Sequence, residues 1–78
     1  MKINKELFLE GLKNQFEDSD ANKLNFESKF TQLETWDSLT RFSIIAFAED
    51  DYNVIITPEQ LNSFETPNDL YLFIENNI

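Results

Sequence analysis

Residues 36–52 read WDSLTRFSIIAFAEDDY, and this stretch decides the fold. Leu39, Phe42, Ile45 and Ala46 recur at steps of three and four, and Ile44, Phe47 and Ala48 widen the stripe. That period belongs to a helix, predicted over Ser38–Asp51. Asp37 or Ser38 is suited to cap its start, because a short side-chain oxygen accepts from an otherwise unpaired N–H of the first turn. The following Tyr52–Ile56 is β-branched but has no partner strand in the chain, so it is expected to be a loop that buries Val54 or Ile56.

Downstream, Thr57-Pro58-Glu59-Gln60 joins a cap residue, a proline at the first helical position and an acid in the first turn, opening a short helix to about Ser63. Thr66-Pro67-Asn68-Asp69 repeats the signal and opens a last helix to about Asn76, with Leu70, Phe73 and Ile74 on its buried face. Upstream, Ile3, Leu7, Phe8, Leu12 and Phe16 form one apolar stripe, and a first helix is predicted from about Asn4 to Glu17. Gly11 within it lowers helix propensity by about 1 kcal/mol relative to Ala, which points to a close packing contact. Between Asp18 and Asp37 no period persists. Leu24, Phe26, Phe30, Leu33 and Trp36 are expected to tuck that long connection onto the core, with a short helical turn near Ser28–Gln32. The predicted fold class is all-α: a small antiparallel four-helix bundle with three main helices, one short helix and a long first loop, forming a single domain over residues 1–78.

The chain of 78 residues has no cysteine and no histidine, so no disulfide supports it, and eight phenylalanines must supply much of the buried area. Six basic residues face fifteen acidic ones, a formal net charge of -9, and no Lys or Arg follows Arg41. Such a surface repels nucleic acid and anionic lipid and suits partners with basic patches. No apolar run approaches the roughly 20 residues of a membrane span. The start, with Glu6 before any apolar stretch, does not read as a signal peptide, and a cytoplasmic monomer is expected.

Three motifs bear on chemistry. Asp18, Asp20 and Asn22 match the first, third and fifth ligands of a calcium loop, but Lys23 stands where that loop needs Gly and Lys29 where it needs a bidentate Glu. No metal site is expected there. Without His or Cys the usual bases and thiol nucleophiles are missing, and adjacent acids such as Asp50 and Asp51 point apart on a helix, so an enzyme is not expected. The third motif is Asp37-Ser38-Leu39. It opens an amphipathic helix near the middle of a small acidic chain, after a long loop and before Ile55-Ile56-Thr57-Pro58-Glu59 and Phe64-Glu65-Thr66-Pro67-Asn68-Asp69-Leu70.

In these features the chain resembles the acyl carrier proteins, most clearly from Trp36 to Ile78. The resemblance implies a 4'-phosphopantetheine arm, transferred from coenzyme A to the Ser38 hydroxyl by a phosphopantetheinyl transferase with magnesium. Asp37 is then a motif neighbour that assists the transferase. Leu39 is either an exposed contact for partner enzymes or a core residue. The implied partner surface takes in Leu39, Arg41, Glu49, Asp50, Asp51 and Glu59, and the partners are acyl-loading and acyl-transferring enzymes. The chain departs from housekeeping fatty-acid carriers at Trp36, where they have a small residue, and at Thr40, Arg41 and Ser43, where they place acids. A carrier dedicated to one pathway is therefore expected, such as a secondary-metabolite, surface-polysaccharide or amino-acyl route. Phe42 and Phe47, bulky on the second helix, imply a cargo that is short or stays outside the bundle. Two alternatives stand beside this reading: an aminoacyl or peptidyl carrier, which tends to have Gly where this chain has Asp37, and an acidic interaction module with no cofactor.

Overall fold

The structure, a computed structural model, describes residues 3–16, 22–33 and 36–78. Among these residues there are four α-helices and no strand: α1 (Lys5–Lys13), α2 (Ser38–Tyr52), α3 (Pro58–Ser63) and α4 (Pro67–Asn76). A 3-10 turn, Phe30–Gln32, punctuates the long first connection, within the stretch where the sequence suggests a helical turn. Helix α1 packs on α2 and α4, and α2 packs on α3.

Local chemistry sets the helix starts. Asn4 caps α1 by accepting from the Leu7 N–H. Thr57 and Thr66 each close a reciprocal capping box, with Gln60 and Asp69, and each is followed by a proline that loses nothing where no intrahelical donor is needed. Helix α2 ends at Asn53, whose φ of 57° is left-handed, a conformation Asn tolerates better than most side chains. The turn lets the Val54 N–H reach back to the Ala48 carbonyl at 3.2 Å. It also drives the loop inward, so that both Val54 and Ile56 are buried.

Helix α1 is shorter than its apolar stripe predicts. Asn14 ends it, and the Gln15 and Phe16 N–H groups bond three residues back, to Leu12 and Lys13, in a tighter turn. This redirects Phe16 onto the rings of Phe30 and Trp36. Glu17, the predicted end, and the candidate calcium ligands Asp18 and Asp20 lie outside the described residues. The long connection does return to the core: Leu24 and Phe30 are buried, and Phe26, Leu33 and Trp36 pack against the buried cluster. Two backbone bonds pin it beside the α3–α4 junction, Phe30 N–H to the Glu65 carbonyl at 2.9 Å and Asn68 N–H to the Phe26 carbonyl at 3.1 Å.

Two predicted faces need correction. On α1, Leu7 is exposed while Phe8 and Leu12 carry the buried side. On α2 most of the expected main stripe turns outward: Leu39, Phe42 and Ala46 are exposed, Ile45 is half-buried against the core, and Thr40, Ile44, Phe47 and Ala48 are buried. The reason is that α2 is apolar around most of its circumference, so its period fits more than one face and the neighbouring helices choose. Gly11 marks the choice. A Cβ there would lie 2.5 Å from Cε1 of Phe47, so glycine is what lets this ring lie against α1. Phe47 is held in turn by Phe8 at 5.8 Å and Tyr52 at 5.6 Å between centroids. On α4, Tyr71 joins Leu70 and Ile74 in the core, while Phe73 is only half-buried.

Candidate functional site

The amino end of α2 gathers Asp37, Ser38, Leu39 and Arg41. Asp37, in extended backbone, is the N-cap, and its Oδ1 accepts from the Thr40 N–H at 2.9 Å. Ser38 is therefore the first helical residue, and its side chain is exposed. The Thr40 N–H is the main influence holding the Asp37 carboxyl below its ordinary value; limited desolvation acts the other way, and the Thr40 hydroxyl, the Leu39 N–H and the Arg41 charge add to the lowering. Because the folded-state value is depressed, the charged cap stabilises the fold fully above the unfolded value. That contribution disappears as pH falls through the folded value. Asp37→Asn keeps a capping oxygen but removes the charge. The thermal midpoint of this variant, followed from about pH 6 to about pH 2, is expected to fall less steeply on the acid side than that of the wild type; superimposable profiles would contradict the charged cap.

Beyond the cap, Leu39 and Phe42 stand one turn apart and project into solvent, 78% and 62% exposed. The core-packing alternative for Leu39 is thereby overturned, and Phe42 joins it in an apolar ridge next to Ser38. Arg41 lies along the same turn. Its Nη2 donates to Ser38 Oγ at 3.4 Å, and its guanidinium carbon sits 5.8 Å from the centroid of Trp36. Trp36 is stacked on Phe30, with centroids 4.5 Å apart and planes 8° from parallel, and the Phe16 ring lies beside both at 6.5 and 6.4 Å. A cluster of three near-parallel rings thus lies beside the guanidinium. Sequence reading identifies Arg41 as an oddly placed cation but misses its seat on Trp36, because the two are five residues apart across a non-helical junction. The available signal was a cation in the first turn of a helix, where the macrodipole disfavours it.

The acids lie elsewhere. Glu49, Asp50 and Asp51 are exposed in the last turns of α2, and Asp50 is displaced along the axis by about 18 Å from Ser38 at 1.5 Å per residue. Glu59 is exposed near the start of α3. The candidate partner surface is therefore divided, with an apolar ridge and one cation beside Ser38 and acids at the far end of the same helix. An open cleft of about 460 Å³, lined among others by Ile3, Leu7, Asp50, Asp51, Tyr52 and Ile78, also lies at the far end and not at Ser38. Among the described residues no cluster of three or more acids is placed to hold a metal ion, and no helix is long and apolar enough to cross a membrane.

This geometry fits the group expected on Ser38. The hydroxyl is reachable, its neighbour Asp37 is turned into the cap, and a guanidinium stands where a phosphate on Oγ would meet it. A protein of Treponema denticola described as "Acyl carrier protein" is 35% identical over 57 residues, which is 73% of this chain and 73% of that protein. No family model and no solved structure matches the chain.

Proposed function

The chain belongs to the acyl carrier protein family, and from that premise we propose that Ser38 bears a 4'-phosphopantetheine arm on which acyl intermediates travel as thioesters. The observation that carries the proposal is an exposed serine at the first position of α2, directly after an aspartate held as the helix cap, in a chain with a carrier relative. When bound, the arm supplies the thiol that a chain without cysteine lacks, and the thioester chemistry belongs to it. Loading joins Ser38 Oγ to the phosphorus that bears pantetheine in coenzyme A. The pyrophosphate bond breaks, adenosine 3',5'-bisphosphate leaves, and the hydroxyl proton passes to the transferase or to water.

The chain's own residues position and present. Asp37 fixes the helix end and with it the direction of Ser38 Oγ. Leu39 and Phe42 offer an apolar ridge beside the attachment point to the phosphopantetheinyl transferase and to acyl-loading and acyl-transferring enzymes. Glu49, Asp50, Asp51 and Glu59 steer basic patches on those partners, an effect that speeds encounter more than it tightens the complex. Brief docking suits a carrier that must leave each partner, while the tether keeps the cargo concentrated at a docked active site. Carrier rather than catalyst is the role this assigns, in the cytoplasm and in a pathway of its own, since Trp36 and Arg41 shape an attachment site unlike that of a housekeeping carrier.

Incubation with coenzyme A, magnesium and a broad-specificity transferase tests the reading by intact mass. Gain of one phosphopantetheine supports it. No gain, with the transferase active on another carrier, overturns it in favour of a cofactor-free interaction module.

The core also bears on cargo. Phe47 is buried against Gly11, Phe8 and Tyr52, so that rings fill the space between α1 and α2. Close-packed interiors admit extra methylenes only with strain. A short acyl group, or one that stays outside, fits best. The thermal midpoint is expected to be the same for the unacylated loaded form and for forms bearing longer acyl chains; a midpoint that climbs with chain length would show the chain entering the bundle.

A further inference from the structure

Arg41 is set against its own helix. It occupies the first turn of α2, where the dipole is positive, and that turn holds no acid; the last turn, where cations are favoured, holds acids and no cation. The capping Asp37 feels the Arg41 charge, but that carboxylate is turned to the Thr40 N–H, and departures from local electrostatic rules are expected at functional sites. Arg41 is also held in place. Its guanidinium sits over Trp36, which is backed by Phe30 and Phe16, and Nη2 already reaches Ser38 Oγ at 3.4 Å. A cation–π contact of this kind restrains a planar fork that matches phosphate oxygens.

We propose that Arg41 is the residue that holds the arm's phosphate: seated on Trp36, its guanidinium pairs with the phosphodiester on Ser38 Oγ and fixes the direction in which the arm leaves the bundle. This deepens the carrier reading and rests on it for the identity of the phosphate-bearing group. The chemistry is charge-assisted and two-pronged, because the fork can donate to two phosphate oxygens where it now donates to one hydroxyl. Lysine at this position would retain the charge but neither the fork nor the stack. The pair also neutralises a cation that otherwise stands beside the apolar ridge of Leu39 and Phe42, so loading changes the face that partner enzymes meet.

A phosphate placed on Ser38 by chemical synthesis tests this without any transferase. The phosphoserine second ionisation, ordinarily near pH 6, is followed by phosphorus NMR in the otherwise native chain and in its Arg41→Gln counterpart. The native chain is expected to titrate lower by about half a pH unit, the scale of an exposed ion pair, with Arg41→Lys between the two and the difference shrinking in high salt. Identical titrations in the native and Arg41→Gln chains would overturn the proposal. In the enzymatically loaded protein, fluorescence of the single tryptophan, Trp36, is expected to change on loading in the wild type and not in Arg41→Gln. Failure of the carrier reading looks different: Ser38 accepts no arm, while the synthetic phosphate still titrates in an Arg41-dependent way.

Discussion

Ser38→Ala is expected to abolish arm attachment completely and to leave the fold as it was. After incubation with coenzyme A, magnesium and an active transferase, the wild type gains one phosphopantetheine and the variant gains none. Both halves follow from the position of the residue. Complete loss follows because the hydroxyl oxygen is the atom that becomes esterified, and the neighbouring Thr40 and Ser43 cannot replace it: Thr40 is buried, and Ser43 lies more than one turn further along α2. The fold survives because the cap is Asp37, not Ser38. From the sequence alone either residue could have been the cap, and removing a capping serine costs about 1 kcal/mol. As an exposed first-turn residue it costs less, within about 0.5 kcal/mol, and alanine's better helix propensity works in its favour. Mass spectrometry beside a thermal melt separates the two effects. A variant that still gained the arm would place attachment elsewhere and end the reading built on Asp37-Ser38-Leu39. A variant that lost the arm only because it no longer melted cooperatively would show that Ser38 holds the helix end after all.

What the sequence disclosed and what it hid divide along a physical line. Helix starts are local events. Thr57-Pro58 and Thr66-Pro67 carry their capping chemistry within four residues, and the structure realises both boxes at the predicted places. The Asp37-Ser38 corner is equally local, which is why the start of α2, where attachment is proposed, was legible from the chain. Faces and far ends are not local. The seven apolar residues of α2 from Leu39 to Ala48 point in most directions, so no period could say that Ile44 and Phe47 turn inward while Phe42 turns out; for Phe47, the Phe8 ring on α1 and the gap left by Gly11 decide that. The end of α1 is similar. Phe16 keeps helical spacing with Leu12, yet the chain leaves the helix at Asn14, and the ring joins Phe30 and Trp36 from the next segment. The Arg41–Trp36 contact belongs to the same class, since it needs the path of a connection that has no period of its own.

Phe8→Ala is expected to remove most of the stability of the domain, whereas Phe42→Ala is expected to remove almost none. Phe8 has no exposed surface, and its ring lies 5.5 to 6.3 Å from the rings of Phe26, Phe47, Tyr52 and Tyr71, which come from the first connection, α2 and α4. Truncating a buried Phe costs about 3–5 kcal/mol through lost transfer energy and the cavity left behind. Aromatic pairing adds to this, because four partners lose their common neighbour. A domain of this length holds only about 4–12 kcal/mol in all, so the variant should melt about 15 °C or more below the wild type or fail to fold. Phe42 carries the same ring on the expected main stripe of α2, yet 62% of it faces solvent, and its loss should shift stability by no more than about 0.5 kcal/mol. Urea unfolding of the two variants beside the wild type decides the matter. Equal losses would mean that α2 buries the face containing Phe42, returning the helix to the orientation its period first suggested. A large loss for Phe8 alone would fix α2 with Phe47 inward and leave Phe42 and Leu39 as an exposed apolar edge, free for the docking role proposed for it.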